Sequence, residues 1–298
     1  MATACGKVIL LGEHAVVHGA PAIAAGIERG AQASAERAEA VELWLGASLI
    51  QPDDDTPLGR ALAALVAELG APPARVRASS DLPVGAGLGS SAALAVAIAR
   101  ALLELEGAAP LPRVLAAAGA WERVFHGNPS GIDTAAAASG GCIWFTRAGG
   151  PEPLQLARPL SLAIAVAGPP ASTKLMVDSV ARLKERRPEV FAKSLAGIES
   201  LVKNARLALE AGDLPGLGRL MDLNQMLLSG LMVSTQEIEA ACRLARQAGA
   251  LGAKLTGAGG GGAVVALADG APDPVLEAWR GAGLDCFGTT IATKARAA

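Results

Sequence analysis

The stretch "PVGAGLGSSAALAVAIA", residues 83–99, sets the tightest limits on how this chain can fold. Glycines at 85, 87 and 89 alternate with small or apolar residues, and two serines then open a run without charge until Arg100. Glycine adopts positive φ without strain, so the first half reads as a tight loop. Ser90 or Ser91 can cap a helix, and "AALAVAIA" is apolar all round, as a buried helix must be. A glycine loop feeding a buried helix start presents unpaired N–H groups and the positive end of a helix dipole. Taken alone, the stretch is equally a cradle for a phosphate and a close strand-to-helix turn. It does not match G-x-x-x-x-G-K-[ST], because no lysine precedes the serines, and its glycine spacing is not G-x-G-x-x-G.

A second run, "GAGGGG" at 257–262, does match G-x-G-x-x-G at Gly257, Gly259 and Gly262. A strand-like segment follows it rather than a helix, so a dinucleotide fold is not indicated. Glycine costs roughly 0.5–1 kcal/mol relative to alanine in regular structure, which favours close backbone approach to a ligand over a simple bulged turn.

Composition narrows the class. Hydrophobic residues make up 51% of the 298 and charged residues 18%, a globular balance. A net charge of −2 gives no electrostatic footprint for nucleic acid or a membrane surface, and 3% aromatics without tyrosine give no base-stacking platform. Cys5, Cys142, Cys242 and Cys286 are too far apart for a disulfide framework or zinc knuckle, so reduced thiols in a cytoplasmic protein are expected. The apolar run before Glu13 is too short for a signal sequence, and Arg100 interrupts the longest candidate span.

Strands are expected at "KVILLG", "VELWLG" and "ARVRASSDLP", and a helix at "TPLGRALAALVAELG" with Thr56 as cap, Pro57 at its first position and Gly70 past its end. Proline and glycine crowd residues 148–160, which puts a domain boundary there, between residues 1–155 and 156–298. Beyond it come a strand "SLAIAVAG" and a helical stretch from Thr173 to about Ala211 that Pro188 divides. A helix "TQEIEAACRLARQAG", a strand-like "AKLTGAGGGGAVVALA", the segment "PDPVLEAWRGAG" and a last strand "LDCFGTTIAT" complete an α+β alternation.

Several charged positions stand out. With Leu111–Phe125 on a helix, Glu122 projects from among Leu111, Leu115, Ala118, Gly119 and Phe125, while Arg113 and Arg123 fall away from it. A carboxylate on an apolar face needs a cation, so a salt bridge and a metal-ligand role are both open. The turn "HGNPSGID" follows, with His126 hydrogen-bonding within it and Asp133 as a helix cap or a catalyst. In "GKVILLGEHAVVHGAPA", Lys7 precedes a strand and Glu13-His14 follow it; alanine after His14 removes the H-E-x-x-H zinc pattern. Lys174, in "STKLMVD", either approaches the same site or is a solvated helix-end residue.

In this order and spacing, "GKVILLGEHAVVHGAPA", "LPVGAGLGSSAALA" and "KLTGAGGGG" resemble the three signature motifs of the GHMP kinase superfamily. "ERVFHGNPSGID" is similar to the mevalonate kinase branch of it, and the motifs run from residue 7 to 262. The resemblance implies a two-domain α+β fold, an N-terminal domain with a left-handed β-α-β unit and an α+β C-terminal domain, with the active site in the cleft. It implies ATP and mevalonate as substrates and Mg²⁺ as cofactor, and it allows a homodimer. Carried over, Pro83, Val84, Gly85, Ala86, Gly87, Leu88, Gly89, Ser90 and Ser91 would bind ATP, and Ser91 and Glu122 would hold Mg²⁺. Asp133 and Lys7 would be catalytic. Lys7, Glu13, His14, Thr256, Gly257, Ala258 and Gly259 would face the acceptor. Phosphomevalonate, homoserine and sugar kinases and diphosphomevalonate decarboxylase share these glycine loops, so the loops do not choose among acceptors. A non-catalytic nucleotide-binding sensor on the same scaffold also stays open.

Overall fold

The structure, a computed structural model, describes residues 1–169 and 172–293. The end of the expected C-terminal domain, residues 294–298, lies outside them. The first half runs β1 (Ala2–Leu11), a 3-10 turn (Ala15–His18), β2 (Ala22–Arg37), β3 (Glu42–Leu45), β4 (Ser48–Ile50), α1 (Pro57–Leu69) and β5 (Ala74–Ser80). Then come α2 (Ser90–Glu104), α3 (Leu111–His126), α4 (Ile132–Ser139), β6 (Cys142–Thr146) and β7 (Gly150–Pro153). The second half runs β8 (Leu160–Val166), α5 (Thr173–Arg186), α6 (Pro188–Ala211), α7 (Leu214–Gly230) and α8 (Gln236–Gln247). It ends with β9 (Gly252–Leu255), β10 (Ala263–Ala268), α9 (Asp273–Gly281) and β11 (Asp285–Ile291).

β1–β7 form one sheet with the path β4-β3-β5-β2-β6-β7 and β1 paired to β2. Its parallel pair, β3 with β5, is connected through β4 and α1, while the other pairs are antiparallel. The second sheet, β11-β8-β10-β9, is antiparallel. The chain passes from one sheet to the other between Pro153 and Leu160, inside the proline- and glycine-rich stretch.

Local chemistry accounts for several boundaries. Thr56 Oγ1 accepts from Gly59 N at 3.0 Å, Pro57 opens α1, and Gly70 ends it in the left-handed region, as the sequence predicts. Ser90 and Ser91 do not cap α2: Gly89 holds that position at φ 75 and both serines lie inside the first turn, which frees the Ser91 hydroxyl for another partner. Helix α2 is buried along its length, as an all-apolar helix requires. Pro188 opens α6 after α5 has ended at Arg186, so the long stretch is two helices. One apolar cluster joins Val8 and Leu10 of the first sheet, Ile98 of α2 and Ile164 and Val265 of the second sheet, so the two halves share a continuous core.

Candidate functional site

The sheets, α2, α3 and α4 converge on a cleft of about 500 Å³. β1 carries Lys7 into it, 3% exposed, and α4 carries Asp133 in its first turn. Lys7 Nζ lies 2.8 Å from Asp133 Oδ1. Asp133 is therefore an ion-pair partner at a helix start, where the dipole favours a carboxylate, and not a cap. Small residues behind it, Ala135 and Ala136, let α4 sit against Ile9, Ala22 and Ile143.

Glu122 is 3% exposed, but α3 is rotated from the expected orientation. Its buried face centres on Val114, Ala117, Ala118 and Trp121, while Leu111 is 41% exposed, so Glu122 stands at the edge of the apolar face where it meets the cleft. Ser91 Oγ donates to Glu122 Oε1 at 2.5 Å, and Trp121 Nε1 donates to Ser91 Oγ at 3.1 Å. His126 ends α3; its carbonyl accepts from Asn128 N at 2.7 Å within the "HGNPSG" turn, while its ring turns back to Glu122 with Nε2 3.4 Å from Oε2. That contact raises the imidazole pKa against the opposing effect of burial.

The first glycine loop is clamped on both sides. Gly85, Gly87 and Gly89 all have positive φ, and a Cβ on Gly89 would stand 2.8 Å from Lys7 Cγ. Lys7 N donates to Leu88 O at 2.9 Å, and Ala263 N donates to Ala86 O at 2.8 Å. The second glycine run backs this loop: a Cβ on Gly262 would meet Ala86 O at 2.9 Å, one on Gly257 would meet Gly87 O at 3.1 Å, and one on Gly259 would meet Val233 O at 2.2 Å. The close approach expected there is thus to protein backbone, while Gly257 and Ala258 also line the cleft.

On the far wall, His14 is 6% exposed with φ 61, and its Nε2 lies 2.8 Å from Ala258 O. Burial lowers its pKa. His18 stacks edge-on against Phe191 instead, so the two histidines do not converge. Glu13 forms an ion pair with Lys254, which opens the "KLTGAGGGG" motif but was not among the expected site residues. Thr256 is 1% exposed and its Oγ1 accepts from Ile9 N at 2.8 Å, so it supports β1 from below the cleft surface. Lys174 is exposed and lines a second cavity of about 420 Å³ that shares Glu122, His126 and Asp133 with the first. Among the described residues no helix is long and apolar enough to cross a membrane.

The GHMP kinase N-terminal domain model matches residues 57–141, and the GHMP kinase C-terminal model matches 205–284. A mevalonate kinase of Methanothermobacter thermautotrophicus is 36% identical over 282 residues, which cover 93% of each chain. The solved L. major mevalonate kinase in complex with R-mevalonate superposes with a TM-score of 0.84 at 32% identity, covering 99% of this chain and 96% of that one. A Streptococcus pneumoniae phosphomevalonate kinase reaches a TM-score of 0.82 at 18% identity over 97% and 98% of the chains, which is likeness of fold alone.

Proposed function

The chain belongs to the mevalonate kinase family of GHMP kinases, and on that premise we propose that it transfers the γ-phosphoryl group of ATP to the 5-hydroxyl of mevalonate. The observation that carries the reading is the pair formed by buried Lys7 and the partly exposed Asp133, 2.8 Å apart, facing a glycine loop at the start of α2. Phosphoryl transfer has a loose transition state, so alignment and charge neutralisation do most of the catalysis.

The site divides the labour as follows. Residues Pro83–Ser91 wrap the ATP phosphates, the residues after Pro83 with backbone N–H groups, and Leu45, Leu58 and Leu82 offer the apolar surface for the base. Lys7 orients the Asp133 carboxylate and places positive charge beside the transferring group. Asp133 accepts the hydroxyl proton as the new P–O bond forms and the bond to ADP breaks. Glu13, His14, Gly257 and Ala258 line the acceptor side, with Thr256 and Gly259 holding that wall from behind. Domains of residues 1–155 and 156–298 meet across the cleft.

Mg²⁺ is held by oxygen ligands from one or two side chains together with phosphate oxygens. The Ser91 hydroxyl and Glu122 carboxylate, already in contact and oriented by Trp121, are a fitting donor pair. When bound, the ion supplies positive charge against the β- and γ-phosphates.

A coupled ADP-release assay with Mg-ATP tests the reading, with mevalonate run beside phosphomevalonate, homoserine and galactose. Turnover with mevalonate alone is expected. Turnover with a different acceptor would keep the phosphate loop and Asp133 and replace the substrate. ATP binding without turnover on any acceptor would make the chain a nucleotide sensor.

A further inference from the structure

Behind the acceptor wall Glu13 meets two side chains that the reaction steps leave without a role, Lys254 and Asn224. Lys254 sits in β9, a strand buried at every position, and its side chain is 0% exposed. Its ammonium group bonds Glu13 Oε1 and donates to Leu255 O at 2.6 Å and to Ile9 O at 3.4 Å. Asn224 of α7, also fully buried, donates from Nδ2 to Glu13 Oε2 at 3.1 Å. Each carboxylate oxygen of Glu13 therefore has one donor from the second half of the chain. Asn224 Oδ1 is buried without a hydrogen-bond partner among the described residues.

Stability alone is a poor account of this cluster. Desolvating two charges offsets most of their attraction, and apolar residues of similar volume are often as stable. An unpartnered amide oxygen adds a further cost. What the cluster does hold is a strained turn. Glu13 lies between Gly12 at φ 106 and His14 at φ 61. A non-glycine residue stays in the left-handed region only where its surroundings over-determine it. Here the turn is pinned twice to the second half, through Glu13 to β9 and α7 and through the His14 ring to Ala258 O.

We propose that Lys254 and Asn224 are positioning residues for the acceptor: by holding both oxygens of Glu13 they lock the Gly12–His14 turn in the form that presents His14 to the acceptor beside Asp133. The assignment rests on reading the cleft as that of an ATP-dependent kinase acting on a small hydroxy acid. It makes Lys254 and Asn224 act on acceptor affinity and leaves the nucleotide loop, built on β1 and α2, unaffected.

Lys254→Met removes the ammonium group and keeps an apolar side chain in its place. The expected result is an acceptor KM raised by about tenfold or more with the Kd for Mg-ATP within about twofold. Glu13→Gln/Lys254→Met removes both charges, so it restores most of the Tm lost in Lys254→Met while acceptor KM stays high. Joint recovery of Tm and KM would overturn the proposal, because the pair would then serve the fold alone. A folded Lys254→Met with unchanged acceptor KM would overturn it equally. Should Lys254→Met fail to fold, Asn224→Leu keeps the ion pair and carries the test: acceptor KM raised by about threefold or more with unchanged nucleotide affinity is expected, and an unchanged KM overturns. A wrong acceptor shows in the wild-type assay, whereas a wrong positioning role shows only in these variants on whichever acceptor turns over.

Discussion

Asp133 and His14 occupy the two walls of the cleft and make opposite demands on their surroundings. Asp133→Asn keeps size and removes the proton acceptor, so kcat should fall by about 10²–10⁴-fold while the Kd for Mg-ATP stays near wild type. Single-turnover rates with a parallel binding titration check this, and a near-wild-type kcat would remove Asp133 from the reaction. His14 has its pKa lowered from 6.5 chiefly by burial, so its neutral form is the one the fold favours. The stability this contributes is present above the unfolded-state value and is lost as pH falls toward the lower folded one. The Tm gap between wild type and His14→Asn should therefore shrink as pH drops from about 7.5 to 5.5, measured by thermal melts. Lysine 7, Glu13, Glu122 and Asp133 were all legible from the sequence because each sits in or beside a motif or on an apolar face. Lys254 opens the "KLTGAGGGG" motif, yet its role was not legible, because its partner emerges only when the strand's neighbours place Glu13 against it.

At the level of elements, the glycine runs act as a stack. The 85–89 loop lies between β1 and the 257–262 run, so a side chain added to the outer layer displaces the inner one. Gly262→Ala puts a methyl group 2.9 Å from Ala86 O at a residue with φ 77. It should raise the Kd for ATP by about tenfold, with a strain cost of order 1–3 kcal/mol in unfolding free energy. Calorimetric titration and denaturant melts read the two effects, and unchanged ATP affinity would separate the layers. Most helices were legible because their caps and prolines are chemical: Thr56, Pro57, Pro188 and Thr235 all sit at helix starts as read. β2 and α7 were not. "AIAAGIERGAQASAER" has little β-branched character, and it is a strand because β1, β5 and β6 pair with it. "LPGLGRLMDLNQMLLSG" carries internal glycines that argue against a helix, yet a Cβ on Gly218 would meet Leu251 O at 2.3 Å, so the glycine is what lets α7 pack beside β9. The orientation of α3 was missed for a related reason: Ala117 and Trp121 define its buried face, and neither small alanines nor one large ring weighs correctly in an apolar count.

For the whole molecule, the shared core predicts one cooperative unfolding transition although the fold has two domains. Differential scanning calorimetry should show a single peak that moves up with Mg-ATP. At about 100 times its Kd, Mg-ATP adds roughly 2.7 kcal/mol, and chelating the metal should remove most of that shift. Two resolved peaks would mean that the halves unfold separately. The α+β, two-domain architecture was legible through three motifs in sequence order, although the distance between motifs says nothing of how their backbones touch. That contact carries a consequence of its own. The amide of Ala263 closes onto the carbonyl of Ala86 behind the glycine loop, and among the described residues the chain crosses between sheets once, between Pro153 and Leu160. A polypeptide severed in that crossing would leave each fragment with one jaw of the phosphate grip, so recovery of nucleotide binding on mixing the two pieces would report their reassembly directly.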